Sequence, residues 1–138
     1  MEIYILKEGY LRLTGKNFTL NERDLCNKFI HLTNNAIQIK SDDYNKIESG
    51  NQMSFKQWQE YLDRKNINLN VRETLYPKMK NIVNLVLNSA KRKLNCNRRK
   101  YCFEILGFDF LMDNQHNVWL LEVNSNPCLE QSSTFLET

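Results

Sequence analysis

The alternation of apolar and polar positions divides the first half of the chain into short segments. Residues 1–14 are rich in aromatic and β-branched side chains and are interrupted by Gly9, which predicts a strand pair or a strand–turn–strand. The charged, Asn-rich stretch Gly15–Lys28 predicts a loop. The short apolar run Lys28–Gln38 ends in amides, and we expect a strand that leads into a functional loop. Polar residues dominate Ser41–Met53, which predicts an excursion at the surface.

Two helices are predicted in the middle of the chain. Ser54 lies three residues before Gln57, which is the spacing of a capping box. The apolar residues that follow at helical spacing are Phe55, Trp58, Tyr61 and Leu62. A second helix is expected to begin near Pro77, because proline is well tolerated at the first helical position. Its apolar stripe, which we expect to pack in the core, consists of Ile82, Val83, Val86, Leu87, Ala90 and Leu94.

The last third of the chain is predicted to form a β-hairpin. From Tyr101 onward the hydrophobic period changes to two, which is typical of strands. The runs CFEILGFDFLMD and VWLLEVN are separated by the polar residues Asn114–Asn117. Two such runs joined by a short polar turn predict a hairpin.

The expected register of this hairpin brings polar side chains together. Directly opposed residues have β-carbons about 4.5–5.5 Å apart, and like charges there are destabilising. Asp109 falls opposite Glu122. Asn124 lies two residues beyond Glu122 and therefore points to the same face, while its partner Gly107 leaves room for it. The same register, with the turn centred between Gln115 and His116, pairs Phe110 with Leu121 and Met112 with Trp119.

Two facing acids on an apolar hairpin need a compensating cation, because keeping both ionised in a low-dielectric site is costly. Carboxylate and amide oxygens are hard ligands suited to Mg²⁺ or Ca²⁺. Asp109, Glu122 and Asn124 are therefore candidate metal ligands. Two alternatives stay open on the residues alone: the register slips so that Asp109 faces solvent, or a Lys or Arg neutralises the pair.

The composition is that of a globular protein, with 138 residues of which 41% are hydrophobic and 25% charged. The net charge of +3 is far below that of a dedicated nucleic-acid binder, so no nucleic-acid partner is expected. No apolar run approaches the roughly 18 residues of a membrane span, and the first residues do not form a secretory signal. We therefore expect a soluble, intracellular protein with no membrane partner. Scattered cysteines argue against a zinc site and for reduced thiols; they are Cys26, Cys96, Cys102 and Cys128.

Several ordered motifs resemble the tubulin tyrosine ligase-like family. The string WLLEVNSNPCLE, with the Asp of GFDF upstream of it, is similar to the signature of that family. GYLRLT, KFIHLTNNAIQ and DDYNKIESGNQMSFKQWQEYL stand in the family's order and with similar spacing, so the resemblance covers about Glu8 to Ser133. It implies an α+β fold, namely the C-terminal portion of an ATP-grasp fold, with an antiparallel sheet and a terminal hairpin packed against helices.

The resemblance also implies roles for individual residues. Asp109, Glu122 and Asn124 match the residues that hold the Mg²⁺ of Mg-ATP in the family. Arg12, in the GYLR motif, is implied to reach phosphate or the activated carboxyl group. Without the resemblance, a surface Arg at a strand end is the better interpretation. The HLTN motif is implied to line the nucleotide and amino-acid end of the cleft through His31, Thr33 and Asn34, although a lone His31 also fits core packing.

The activity that the resemblance implies is ATP-dependent ligation of an amino acid to a carboxylate of tubulin. In this family ATP phosphorylates the carboxylate, and the amine of a free amino acid attacks the acylphosphate. Glutamate is slightly preferred here over glycine or tyrosine. The implied location is the cytoplasm and the cytoskeleton, with the cilium or basal body as a further site. The implied partners are microtubules and acidic tubulin tails, and a basic strip of six cations within Lys91–Lys100 would steer such tails, unless it is simply a solvated face.

The chain also departs from the family pattern. It begins almost at GYLR, so we interpret residues 1–138 as a partial catalytic domain whose N-terminal part is missing, and expect the isolated chain to be weakly active or inactive. Asn45 stands where the family commonly has Gly in DYGK, which would alter the backbone of that loop. The alternative function is a truncated module that binds acidic tubulin tails without chemistry.

Overall fold

The computed structural model describes residues 1–127. These residues fall into two compact units: unit 1 contains residues 1–7 and 69–127, and unit 2 contains residues 8–68. Each unit combines helices with a two-stranded antiparallel sheet. The fold class is therefore α+β, as the sequence predicts.

Unit 2 is built around a short strand pair. Strand β1 (Tyr10–Arg12) pairs antiparallel with strand β2 (Gln52–Ser54), and Arg12 lies opposite Gln52. The prediction of a strand pair within residues 1–14 was therefore wrong, because β1 finds its partner far along the chain. Within that segment only Tyr10–Arg12 is a strand.

The segment Lys28–Gln38 forms two short helices, so the predicted strand was wrong. Helix α1 (Lys28–His31) is capped by Asn27, whose Oδ1 accepts from the Phe29 amide at 3.1 Å. Helix α2 (Asn35–Gln38) is capped by Asn34 in the same way. Side-chain caps of this kind satisfy amides that have no partner within the helix, which favours a helical turn over an extended chain.

Helix α3 (Phe55–Arg64) follows β2 directly and confirms the predicted capping box. The Ser54 Oγ accepts from the Gln57 amide at 3.2 Å, and the Gln57 Oε1 accepts from the Ser54 amide at 2.8 Å. The helix buries Phe55, Trp58 and Leu62. Tyr61 of the predicted stripe is 40% exposed.

Ser41–Met53 is less of a surface excursion than its composition predicts. Gly50–Met53 and Ser41 are buried, and the segment leads through a 3-10 turn (Ser49–Asn51) into β2. Asn45 has φ 64°, in the left-handed region, and its Oδ1 accepts from the Gly50 amide at 2.7 Å. Because Asn tolerates this region better than most residues, Asn45 occupies a backbone conformation that also suits glycine.

Unit 1 contains the long helix α4 (Tyr76–Leu94), preceded by a π-helical turn (Val71–Leu75). Pro77 lies in the first turn of α4, as predicted. Val83 and Leu87 from the predicted stripe are buried, whereas Leu94 at the end of the helix is 47% exposed. Only the central part of the stripe, around Val83 and Leu87, is therefore buried in the core.

The predicted hairpin is present and is formed by strands β3 (Gly107–Met112) and β4 (Val118–Asn124). Residues 101–106 are irregular, and the first strand of the hairpin begins at Gly107. The predicted start of strand structure at Tyr101 was therefore wrong by six residues. The hairpin packs against α4, where the Lys78 Nζ donates to the His116 carbonyl at 2.7 Å. Over residues 1–127 no helix has both the length and the apolarity to cross a membrane. Cys26, Cys96 and Cys102 are free and exposed, and Cys128 lies outside the described residues.

Candidate functional site

The base of the hairpin has the register that the sequence predicts. Asp109 pairs with Glu122, and Gly107 pairs with Asn124. Side chains two residues apart on a strand share a face, so Asp109, Glu122 and Asn124 lie on one face of the hairpin. The alternative of a slipped register at this point is therefore excluded.

The tip of the hairpin has a different register. Phe110 pairs with Leu120 and Met112 with Val118, so the predicted pairs with Leu121 and Trp119 were wrong. The reason is a bulge between Asp109 and Phe110, where β4 carries one more residue than β3. A bulge of this kind bends the strand locally and is often found beside functional sites.

The three predicted ligands converge in the structure. The Asn124 Nδ2 donates to the Asp109 Oδ2 at 3.3 Å and to the Glu122 Oε1 at 3.2 Å. Asp109 and Asn124 are half-buried, whereas Glu122 is exposed. A single amide group therefore bridges the two carboxylates.

Gly107 provides the space that this arrangement needs. A β-carbon at this position would lie 3.0 Å from the Pro127 Cβ and 3.8 Å from the Asn124 Cβ. The first distance is tighter than ordinary van der Waals contact, so any side chain would press on the segment that follows Asn124. Glycine thus leaves room beside Asn124, as expected from the sequence.

Asp113 organises the turn at the tip of the hairpin, a role that we did not predict. Its carboxylate accepts from the amides of Gln115 and Asn117 at 2.9 and 2.8 Å, and from the Trp119 indole at 3.0 Å. These bonds, with that of Trp119 contributing most, lower the pKa of Asp113 to about 2. The turn signal was available in the sequence, because Asp commonly bonds to backbone amides two residues further on.

Arg12 is exposed on β1 of unit 2. Its guanidinium carbon lies 5.9 Å from the centroid of the Tyr10 ring, and its Nη2 donates to the Tyr10 hydroxyl at 3.5 Å. The two side chains share one face of the strand because they are two residues apart. A guanidinium is planar and suits bidentate contact with a phosphate or carboxylate.

The HLTN residues of the same unit run from the last residue of α1, His31, to the N-cap of α2, Asn34. His31 is half-buried: its ring packs edge-on against Phe18 with centroids 5.6 Å apart, and its Nε2 lies 3.1 Å from the Asp24 carbonyl. Thr33 is exposed. The Asn34 Oδ1 accepts from the Ala36 amide at 2.9 Å and so caps α2. His31 therefore packs locally, and Thr33 and Asn34 lie at the exposed turn.

The basic strip Lys91–Lys100 covers the end of α4 and the turn that follows. Asn95 holds this turn, since its Oδ1 accepts from the Arg99 amide at 2.8 Å and its Nδ2 donates to the Arg99 carbonyl at 2.9 Å. All ten residues are exposed. In the part of the chain that the structure describes, none of the six cations forms an ion pair; they are Lys91, Arg92, Lys93, Arg98, Arg99 and Lys100.

The hairpin donor set suits a hard cation. Within residues 1–127 no group of three or more His, Cys, Asp or Glu side chains could hold a metal, so any ion here would be bound by two carboxylates and an amide. Mg²⁺ typically binds proteins through one or two carboxylates and completes its shell with water and phosphate oxygens. Rotation of the Asn124 amide about its terminal bond would present Oδ1 instead of Nδ2. Asp109, Glu122 and Asn124 could therefore hold Mg²⁺ together with a nucleotide phosphate.

Comparison with protein-family models identifies the class of protein. The model of the tubulin-tyrosine ligase family matches residues 1–137. The chain therefore belongs to the tubulin-tyrosine ligase family.

The chain is also similar to particular members of that family. It is 35% identical over 133 residues to the mouse protein named probable tubulin polyglutamylase TTLL9, covering 96% of this chain and 28% of the relative. It is 33% identical over 135 residues to tubulin glycylase 3B of Tetrahymena thermophila, covering 98% of this chain and 11% of the relative. It is 31% identical over 144 residues to mouse tubulin monoglutamylase TTLL4, covering 96% of this chain and 12% of the relative. The chain thus spans between 11% and 28% of the length of these relatives.

Proposed function

We propose that this chain forms the metal-holding part of an ATP-dependent ligase that attaches an amino acid to carboxylates of tubulin tails. The observation that carries the proposal is the convergence of Asp109, Glu122 and Asn124 at the base of the hairpin. Membership of the tubulin-tyrosine ligase family supports it. An ATP-grasp architecture for the complete ligase belongs to the same proposal, with this chain supplying its C-terminal portion.

In this proposal the hairpin binds the triphosphate end of ATP. Bound Mg²⁺ would neutralise charge on the phosphate oxygens, which is the main requirement of phosphoryl transfer. Asp109 and Glu122 hold the ion from opposite strands, and Asn124 contributes its amide oxygen. Glu122 is the most accessible of the three and forms no ion pair within residues 1–127, so its carboxylate is available to a ligand.

Residues of unit 2 are assigned to the substrates. The exposed guanidinium of Arg12 binds anionic oxygens of phosphate or of the substrate carboxylate in a bidentate manner. Thr33 and Asn34 donate hydrogen bonds to phosphate oxygens through a hydroxyl and an amide, and His31 supports their turn from its packed position. The carboxylate of the tubulin tail takes the γ-phosphoryl group of ATP and releases ADP, which gives an acylphosphate. The amine of the free amino acid then attacks the acyl carbon, loses a proton and displaces phosphate to form the amide.

The names of the relatives support a proposal for the class of amino acid and for the place of action. Glutamate is preferred over glycine and tyrosine, because the similar mouse proteins carry glutamylase names, although the Tetrahymena relative carries a glycylase name. A ligase that modifies tubulin tails works in the cytoplasm on microtubules of the cytoskeleton, including those of cilia and basal bodies.

A second candidate function is a module that binds acidic tubulin tails without chemistry. The observation that favours it is the exposed basic strip Lys91–Lys100, whose cations have no ion-pair partners among the described residues. A local excess of positive charge attracts acidic segments and speeds their encounter. The strip also suits the ligase, since both functions require tail binding.

The decisive experiment is a ligation assay with the full-length gene product. Microtubules are incubated with Mg-ATP and each labelled amino acid in turn, and mass spectrometry locates the label. We expect label on tubulin tails, its loss with Glu122→Gln, and normal labelling with Glu104→Gln, a matched change at an exposed acid outside the hairpin. Tail binding without label from any amino acid would support the non-catalytic module, and label that survives Glu122→Gln would refute the site assignment.

A further inference from the structure

We propose that Gln38 is a positioning residue that fixes the turn of Thr33 and Asn34 relative to the strand that carries Arg12. The inference rests on the proposed function, which assigns Arg12, Thr33 and Asn34 to substrate binding. Gln38 itself is fully buried, with 0% of its surface exposed, and cannot reach a substrate.

The Gln38 side chain uses its whole hydrogen-bonding capacity. Its Nε2 donates to the carbonyls of Leu32 at 2.6 Å and Phe29 at 3.2 Å. Its Oε1 accepts from the Gly15 amide and from the Asn51 Nδ2, each at 3.3 Å. A primary amide offers two donors and two acceptor sites, so no capacity is left over.

These partners come from three separate segments of unit 2. Leu32 directly precedes Thr33, and Gly15 lies shortly after β1. Asn51 makes the third link, because its carbonyl accepts from the Leu13 amide at 2.8 Å. A continuous hydrogen-bonded path therefore runs from Leu13, next to Arg12, through Asn51 and Gln38 to Leu32.

Asn51 is itself held rigidly in this path. It is 3% exposed, has φ 50° in the left-handed region, and its Oδ1 accepts from the Asn45 amide at 2.9 Å. Asn45 in turn accepts from Gly50. Each amide in the path is thus oriented by a further bond, which leaves the path little freedom to rearrange.

Only an uncharged amide of this length satisfies all four partners. Glutamate in its ionised form accepts but cannot donate, so the Leu32 and Phe29 carbonyls would face a carboxylate. Methionine has a similar shape but neither donates nor accepts well, so the same carbonyls would lose their partners. Either change releases the turn that carries Thr33 and Asn34.

The position of Gln38 predicts an effect on substrate binding. A misplacement of about 1 Å in a binding group can cost roughly a hundredfold in rate or affinity. In the full-length protein we expect Gln38→Met and Gln38→Glu to raise the KM for ATP at least about tenfold at temperatures where the variants remain folded. Asn51→Asp, which replaces the donor to Gln38 by an acceptor, should act in the same direction.

The test separates positioning from simple stabilisation. Asn70→Ala removes the cap of the π-helical turn in unit 1, where the Asn70 Oδ1 accepts from the Glu73 amide at 3.0 Å, and serves as a destabilised control. We expect this control to lower the melting temperature while leaving the KM for ATP unchanged. We further expect the effects of Gln38→Met and Asn51→Asp on KM to be less than additive, since both break one path.

Hydrogen exchange gives a readout that needs no activity. In the 138-residue chain, Gln38→Met and Asn51→Asp should speed exchange of the amides in residues 31–34, whereas Asn70→Ala should not. If the wild-type protein has no ligase activity, the proposed function is refuted. The exchange experiment still tests the positioning role of Gln38 in that case. Unchanged exchange in these variants, or an active protein in which they leave KM at the wild-type value, would overturn the positioning role.

Discussion

The indole N–H of Trp119 donates to the Asp113 carboxylate at 3.0 Å and ties β4 to the turn that precedes it. The same carboxylate accepts from the amides of Gln115 and Asn117. One carboxylate at the tip of the hairpin therefore links the turn to β4.

The Asp113 interactions predict a pH-dependent contribution to stability. The pKa of Asp113 is lowered from 3.8 to about 2, and the hydrogen bond from Trp119 is the largest cause. The folded state therefore favours the ionised carboxylate. This stabilisation is fully present above pH 3.8 and is lost as the pH falls toward 2. We expect Asp113→Asn to lower the free energy of unfolding at pH 7, and the difference from wild type to shrink across that window.

Urea denaturation at a series of pH values measures this difference. Asp42→Asn, at an exposed position, is the matched control and should show a smaller difference at pH 7. A difference between wild type and Asp113→Asn that stayed constant from pH 7 to pH 2 would contradict the assignment.

Gly107→Ala should weaken metal binding without removing a ligand. The added methyl group would lie 3.0 Å from the Pro127 Cβ, so Pro127 must shift by a few tenths of an ångström, and this displacement acts on Asn124 through the residues that link them. We expect a loss of about 1–3 kcal/mol in stability from overpacking. We also expect a fall of roughly tenfold or more in affinity for Mg²⁺ in the presence of ATP, as when groups that orient ligands are changed.

Isothermal titration of the full-length protein with Mg-ATP, with and without EDTA, measures this affinity. Leu85→Ala, at a position that is 72% exposed on α4, is a control that should leave the affinity unchanged. Mg²⁺-dependent binding that is equal in wild type and Gly107→Ala would show that the geometry around Asn124 is irrelevant to the ion.

The capping box at the start of α3 predicts a loss of stability for Ser54→Ala. The variant removes the Oγ that accepts from the Gln57 amide and leaves that amide without its cap. We expect a decrease of about 0.5–2 kcal/mol in the free energy of unfolding, measured by urea denaturation. Ser49→Ala, an exposed serine whose side chain caps no helix, should change stability by less.

Charge reversal in the basic strip predicts slower association with acidic tails. Arg98→Glu combined with Arg99→Glu should slow binding of a tubulin-tail peptide by roughly tenfold at low salt, because steering depends on local charge. The effect should disappear near 1 M salt, where the Debye length falls to about 3 Å. Stopped-flow fluorescence at several salt concentrations measures these rates.

The double variant Lys40→Glu and Lys56→Glu changes the net charge of the protein by the same amount as the strip variant. Both lysines are exposed and lie in unit 2. We expect this control pair to have a much smaller effect on the rate. Equal slowing by both pairs would mean that net charge, and not the strip, governs association.

The sequence predicted the elements whose signals are local and strong. The capping box at Ser54 and the proline near the start of α4 each specify a helix through a known bonding or steric requirement. The pairing of Asp109 with Glu122 followed from simple period-two geometry and was confirmed. These features depend on residues close to one another in the chain.

The features that were missed depend on side chains that bond to distant or backbone groups. The apolar run Lys28–Gln38 is too short for its period to separate a strand from helical turns, and the caps Asn27 and Asn34 decided the outcome. The buried hydrogen bonds of Gln38 could not be predicted, because its partners Gly15 and Asn51 come from other segments of the chain. The family resemblance assigned roles to exposed and half-buried residues but none to the fully buried Gln38.

The extra residue in β4 gives the two ends of the hairpin different registers. Asp113 sets the pairing at one end and the Asp109–Glu122 pair marks the other, and Leu121 absorbs the mismatch between them. The unpaired Leu121 therefore lies between the loop at residues 113–117 and the acids. A redesigned loop at this tip would therefore have to keep Asp113 and the bonds that it accepts from Gln115 and Asn117.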